Sequence, residues 1–264
     1  MIDLHCHLLP GIDDGPPDVE TALEMARIAV EDGIEIIACT PHIYPGMYEN
    51  NGPDILRRVA ALQTVLDDAG IALKLVAGCD AHLTPTMVAE LNSGHIPTLA
   101  GSRYFLFEPP HHVAPPRLEE TVLSTIAAGY VPIVTHPERL SWIESHYAIM
   151  QRLVAGGAWM QLTAGALTGR FGKRPQYWGE RMLDEGLVHV IATDAHNLRN
   201  RKPRLTEATE AVAVRLGERG AMDMVLTRPR LVLENADPSR APAPVGVPRS
   251  PTGFKALRRL FSAA

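Results

Sequence analysis

The sequence is short of cysteine, of long apolar runs and of surplus positive charge. Its three cysteines, Cys6, Cys39 and Cys79, are an odd number without C-x-x-C spacing, which supports neither a disulfide framework nor a zinc ribbon. They read as reduced thiols. None opens a C-x5-R loop, because six residues beyond them stand Ile12, Pro45 and Pro85. A thiolate nucleophile cradled by backbone amides and an arginine is therefore excluded. No apolar run reaches about 18 residues, and Met1-Ile2-Asp3-Leu4-His5 carries neither the basic nor the apolar part of an export signal. A cytoplasmic protein is expected. With 25 basic and 30 acidic residues and a net charge of −5, the chain offers no global attraction for nucleic acid.

What is present is alternation. A chain of 264 residues, 46% of them apolar, can bury one large core. Short apolar runs alternate with amphipathic stretches, the pattern of repeated βα units. Strands are expected over residues 2–7, 34–40, 72–77, 104–108, 131–135, 158–163 and 188–193. In the first unit Asp18 stands before a helical stripe of Val19, Ala22, Leu23, Ala26, Ala29 and Val30 that stops at Gly33. The expectation is an α/β fold of barrel type, although Pro132 is awkward inside a central strand. Residues 1–237 read as the folded domain. Residues 238–264 contain five prolines and no acidic residue and read as a linker or tail. That tail ends in Phe254-Lys255-Ala256-Leu257-Arg258-Arg259-Leu260-Phe261, a basic amphipathic stretch suited to an anionic membrane surface or a partner.

In a (β/α) barrel the C-terminal strand ends share one rim, and the residues suited to bind metal fall at those ends. His5 and His7 close the first strand, His42 follows the second and Asp80 the third. Glu108 ends the next, His136 follows 131–135, and Asp194 and His196 follow 188–193. Residues i and i+2 of a strand point the same way, so His5 and His7 share a face while Cys6 turns away. The same holds for Asp194 and His196 if the extended conformation continues that far. Imidazoles mixed with carboxylates suit Zn, Mn or Fe.

His5-Cys6-His7, Pro10-Gly11-Ile12-Asp13-Asp14-Gly15, Thr40-Pro41-His42, His136-Pro137-Glu138-Arg139 and Thr193-Asp194-Ala195-His196-Asn197 together resemble the polymerase-and-histidinol-phosphatase superfamily. Within it they most resemble the bacterial capsule-type tyrosine phosphatases called CpsB/CapC. The similarity runs from Met1 to about Asn235. It implies a single-domain distorted (β/α)7 barrel with three divalent metal ions, manganese foremost, with iron or zinc as alternatives. Carried over by resemblance, His5, His7, Asp80 and Asp194 would hold one metal, Asp80, Glu108 and His136 a second, and Asp14, His42 and His196 a third. Arg139 and Arg201 match the family's phosphate-contacting arginines. Asp80 departs from the pattern, since it replaces a bridging glutamate with a side chain one methylene shorter. His82, two residues on, is a further ligand candidate.

Such a site would lower the pKa of bound water toward roughly 7 and stabilise the phosphoryl oxygens. His82, His111, His112 and Asp13 are candidates for protonating the leaving group. With no C-x5-R loop, metal chemistry is the remaining route to tyrosine phosphate. The resemblance implies phosphotyrosine hydrolysis on an autophosphorylated bacterial tyrosine kinase that governs capsule or exopolysaccharide synthesis. A histidinol-phosphate or other small-molecule phosphatase, or a nuclease, is the alternative within the superfamily. A metal-stabilised module that only binds a kinase is the alternative outside enzymes.

Overall fold

The computed structural model describes residues 1–247. Along the chain run β1 (Ile2–Cys6), β2 (Ile36–Cys39), β3 (His42–Ile43), β4 (Lys74–Ala77), β5 (Asp80–His82), β6 (Tyr104–Glu108), β7 (Val131–Thr135), β8 (Trp159–Thr163) and β9 (Val190–Ala192). Every ladder between them is parallel. One sheet has the order β1-β2-β4 and the other β3-β5-β6-β7-β8-β9. Helices fill most of the connections, so the architecture is α/β.

There are nine strands among the described residues where seven are expected, because the second and third break. Thr40 and Pro41 separate β2 from β3, and Gly78 and Cys79 separate β4 from β5. Backbone bonds carry the pairing across both breaks, from Gly78 N to Cys39 O at 3.1 Å and from Asp80 N to Pro41 O at 3.1 Å. Gly78 permits this close approach, since a Cβ there would lie 2.7 Å from Leu99 Cδ2 and 3.2 Å from Thr40 Cγ2. β6 and β7 have the expected limits. Pro132 fits because β7 pairs with β8 only from Ile133 onward, where Ile133 meets Trp159. Its missing N–H therefore falls just before that ladder begins.

The strands alternate between two apolar clusters. Leu106, Ile133, Trp159 and Val190 join Ile2, Leu4 and Ala38 on one face. Phe105, Phe107, Val134, Met160, Leu162 and Ile191 meet the helices on the other. One extra residue lies in β1, where the register steps from Asp3↔Ile37 to Cys6↔Cys39. This bulge shifts the alternation by one, so that His5 and His7 follow the face of Ile2 and Leu4 while Cys6 enters the helix-side core. The expected helix occupies Val19–Glu31, with the Asp18 carboxylate accepting from Thr21 N at 2.8 Å.

The segment read as linker from residue 238 is tied to the body by hydrogen bonds as far as it is described. Buried Arg228 donates to Pro242 O at 2.9 Å, Ala243 O at 3.1 Å and His189 O at 2.9 Å. Val247 N donates to Asp184 O at 3.0 Å. Residues 241–247 thus supply carbonyls that a buried guanidinium requires. The amphipathic stretch 254–261 lies outside the described residues. No helix among the described residues is long and apolar enough to cross a membrane.

The same corner sets a pH dependence. His189 lies over Trp159, with ring centroids 5.0 Å apart, and its Nδ1 accepts from Met160 N at 3.2 Å. Burial, then the charge of Arg228, pushes His189 down to about 3. The unfolded chain holds its proton below about 6.5, so this contribution is complete above that pH and is lost as pH falls toward 3. At pH 5 the native state should have lost about 2 kcal/mol from this group relative to pH 7 or above. Urea unfolding of wild type and His189→Gln at both pH values should show a correspondingly shallower acid decline in the variant. Parallel declines would contradict the assignment.

Candidate metal centre

The strand-end residues converge. His5 Nε2 lies 3.2 Å from His7 Nε2, 3.4 Å from Asp80 Oδ2 and 3.4 Å from Asp194 Oδ1. His136 Nε2 lies 3.6 Å from Asp80 Oδ2 and 3.8 Å from Glu108 Oε1. On the outer side His196 Nε2 lies 3.1 Å, and His42 Nε2 3.5 Å, from Asp14 Oδ1. Every expected ligand is therefore in one continuous cluster. Its subgroups are broader than the expected trios. His7 joins Asp14, His42 and His196, His42 also reaches Asp80 and Glu108, and His111 joins Glu108 and His136.

Local backbone explains the convergence. Asp194 has φ 49° and His136 φ 36°, left-handed values that cost energy outside glycine and gather at functional sites. The extended conformation thus stops at Asp194, and strand alternation does not place His196. A loop does so instead, with His196 N and Asn197 N donating to Arg201 O at 2.9 and 3.2 Å. At His136 the same sharp turn starts the helical turn Pro137–Arg139, which presents Arg139. Glu138 faces away into the body, buried, with Oε1 accepting from Thr163 N at 2.9 Å.

The arrangement suits divalent cations. Oxygen and nitrogen atoms about 3–3.6 Å apart are the edges of a coordination shell with metal–ligand distances near 2.0–2.2 Å. Asp80 Oδ2, Glu108 Oε2, His42 Nδ1 and His196 Nε2 are buried without any hydrogen-bond partner, a costly state for polar atoms unless a ligand occupies the space between them. Electrostatics agrees. Burial opposes charge on Asp194, yet Arg201, His5 and Arg139 hold its carboxyl well below the usual range. Burial would also lower His5, but Asp80 and Asp194 outweigh it and raise the ring to about 9. The ring draws in a proton where carboxylate charge calls for a cation.

Second partners orient the ligands, as metal sites require. His5 Nδ1 pairs with Gln161 Oε1 at 2.9 Å, His7 Nδ1 with Asp13 Oδ2 at 2.7 Å, and Thr135 Oγ1 donates to Asp80 Oδ1 at 3.3 Å. Asp13 also accepts from His42 N at 3.1 Å. Its Oδ1 accepts from Gly15 N at 2.9 Å, so both oxygens are engaged within the site. Of the other candidate acids, His82 stacks on Tyr44 at 3.8 Å and lies 3.5 Å from Glu108 Oε2, while His111 lies 3.5 Å from Glu108 Oε1. His112 is placed near the His111 ring, with centroids 6.3 Å apart, and is absent from the ligand groups among the described residues. Gln161 and Thr135 interrupt apolar strands, a signal legible in the sequence. Phe171 carries no such signal.

Arg139 and Arg201 both contact Asp194 Oδ2, Arg201 at 2.6 Å. Their guanidinium carbons sit 4.7 and 6.0 Å from the Phe171 ring centre. The aromatic face fixes two forked donors beside the cluster. A tetrahedral anion placed there would meet both.

Comparison with known proteins gives the family of the chain. Tyrosine-protein phosphatase YwqE of Bacillus subtilis is 32% identical over 237 residues, covering 90% of each chain. Tyrosine-protein phosphatase CpsB of Streptococcus pneumoniae is 26% identical over 243 residues, covering 88% of this chain and 98% of its own. Among solved structures, one chain from the work described as crystal structures of YwqE from Bacillus subtilis and CpsB from Streptococcus pneumoniae, unique metal-dependent tyrosine phosphatases, matches with TM-score 0.86 and 32% identity over 93% of this chain and 99% of its own. Residues 1–234 match the family described as capsular polysaccharide synthesis, CpsB/CapC, and the chain belongs to that family.

Proposed function

We propose that this chain is a metal-dependent protein-tyrosine phosphatase acting on a phosphotyrosyl protein, in particular a bacterial tyrosine kinase of capsule or exopolysaccharide synthesis. The observation that carries the reading is the meeting of two arginines on Asp194, at the edge of a buried histidine–carboxylate cluster whose facing atoms lack partners. His5, His7, Asp14, His42, Asp80, Glu108, His136, Asp194 and His196 would hold the cations. Three cations, manganese foremost, suit these ligands, with Asp80 shared because its Oδ2 lies 3.4 to 3.7 Å from His5, His42 and His136. Bound cations supply an activated water nucleophile and positive charge. The protein's own part is to orient the ligands through Gln161 and Asp13, and to bind and align the phosphoryl oxygens through Arg139 and Arg201. His82 and His111, beside Glu108, border the space where a phenolate would leave.

The parallel bridge between Cys6 and Ala195 and the bond from Asp194 N to His5 O at 2.8 Å support reading the two sheets as arcs of one distorted (β/α)7 barrel.

Hydrolysis of a phosphotyrosyl peptide should disappear with a chelator and return with added Mn. Parallel assays on histidinol phosphate and single-stranded DNA should be at least about tenfold weaker in kcat/KM, the factor given by roughly 1.4 kcal/mol of transition-state discrimination. Turnover indifferent to chelation, or a clear preference for histidinol phosphate, would overturn the reading.

A further inference from the structure

Beyond Arg201 the rim opens into a concavity of about 500 Å³ lined by Arg170, Arg199, Asn200, Lys202 and Arg204. Four of those five residues are cationic and none is acidic, on a chain whose net charge is −5. Arg170 pairs with Glu207 at 2.5 Å. Arg199, Lys202 and Arg204 have no ion-pair partner among the described residues. Like charges gathered in one groove repel unless an anion is shared between them.

The loop that carries them is built. Asn197 Oδ1 accepts from the backbone N–H of Arg199, Asn200 and Arg201 at 3.0, 3.1 and 3.3 Å. At the far end Asp32 Oδ2 accepts from Leu205 N at 2.6 Å and Thr206 N at 3.0 Å. Arg204 N donates to Lys202 O at 2.9 Å. The groove also adjoins the arginines proposed to face phosphate, since Arg170, Asn200, Lys202 and Arg204 line both it and the neighbouring crevice that holds Arg201 and Phe171, on which Arg201 and Arg139 rest.

We propose that this groove is a recognition subsite for an anionic residue flanking the phosphotyrosine, either a carboxylate side chain or a second phosphorylated tyrosine. The inference rests on the phosphotyrosine reading above. An extended peptide advances about 3.3 Å per residue, so a neighbour one to three positions from the scissile group would reach a groove beginning beside Arg201. Aromatic side chains for base stacking are missing from the groove lining, which favours a peptide over single-stranded nucleic acid.

The test compares three phosphotyrosyl peptides that differ only in flanks: alanine, glutamate, or a second phosphotyrosine. Wild type should hydrolyse the two anionic peptides with kcat/KM about tenfold above the alanine peptide, as charge complementarity at a rim raises encounter rates, and the gain should shrink in high salt. The triple variant R199S/K202S/R204S should lose that gain while keeping wild-type kinetics on p-nitrophenyl phosphate and an unchanged melting temperature. Equal rates for all three peptides in wild type, or a triple variant that slows every substrate alike, would overturn the subsite and leave the phosphatase reading standing. Inhibition by a single-stranded oligonucleotide without any gain from anionic flanks would overturn it too. If no phosphotyrosyl peptide is hydrolysed while another phosphomonoester is, the phosphotyrosine reading itself fails and the subsite with it.

Discussion

Replacing Asp80 by asparagine is expected to lower kcat/KM on a phosphotyrosyl peptide by about 10³-fold, a loss of ~4 kcal/mol of transition-state stabilisation, and to reduce bound metal. Asp80 is wholly buried at the start of β5, and its Oδ2 faces imidazole nitrogens of His5, His42 and His136. Asp194 Oδ1 likewise meets three imidazoles, those of His5, His7 and His196 at 3.4 to 3.6 Å, but that carboxylate is also held by Arg139 and Arg201, whereas Asp80 has no arginine partner among the described residues. An amide keeps the shape but removes the charge and one lone-pair-only oxygen, so the inner histidines would lose their common anion. Thr135 would still have an acceptor, and the fold should persist. Asp80→Glu makes a second arm. It restores the longer side chain that resemblance places at this position, and should keep metal and substantial activity if the barrel absorbs one methylene, an insertion that costs about 1–3 kcal/mol in a packed interior. Metal analysis beside kinetics decides the matter. An Asp80→Asn protein with full metal content and near-normal turnover would refute the role.

Arg139→Ala and Arg201→Ala should each lower kcat/KM by about 10²-fold, in the range for losing one preorganised donor to a developing phosphoryl charge. Metal content should stay unchanged, because neither guanidinium is a ligand. Both arginines contact Asp194 Oδ2, and a phosphate would compete with that carboxylate for their N–H groups. Lysine should rescue poorly, since it lacks the planar fork that both oxygens and the Phe171 face require. Loss of metal in either variant would show instead that the arginines hold the cluster together through Asp194.

Much of this was legible in the chain. The alternation of apolar runs with amphipathic stretches predicts a parallel α/β fold because buried strands and their covering helices have different periods, 2 and 3.6. β6 and β7 agree with it residue for residue. The positions of His5, His7, Glu108, His136 and Asp194 at or just beyond C-terminal strand ends follow from the same reading, since parallel strands place those ends on one side, whereas His42 and Asp80, expected to follow strands, open the short strands β3 and β5. The breaks after Cys39 and Ala77 were not legible, because they depend on Gly78 passing close to Leu99 and Thr40 from distant parts of the chain.

The sequence by itself determined which side chains could serve as ligands, how they are spaced and that no cysteine opens a C-x5-R loop, because these are properties of residue type and order. Only the tertiary structure decided how the ligands group. A bulge in β1 turns His5 and His7 inward, and left-handed turns at His136 and Asp194 aim the later ligands. Phe171 gathers two arginines against Asp194. Residues 238–247, rich in proline and small residues, are tied to the body where buried Arg228 takes the carbonyls of Pro242 and Ala243. Each of these rests on contacts across more distant parts of the chain than a local pattern can encode.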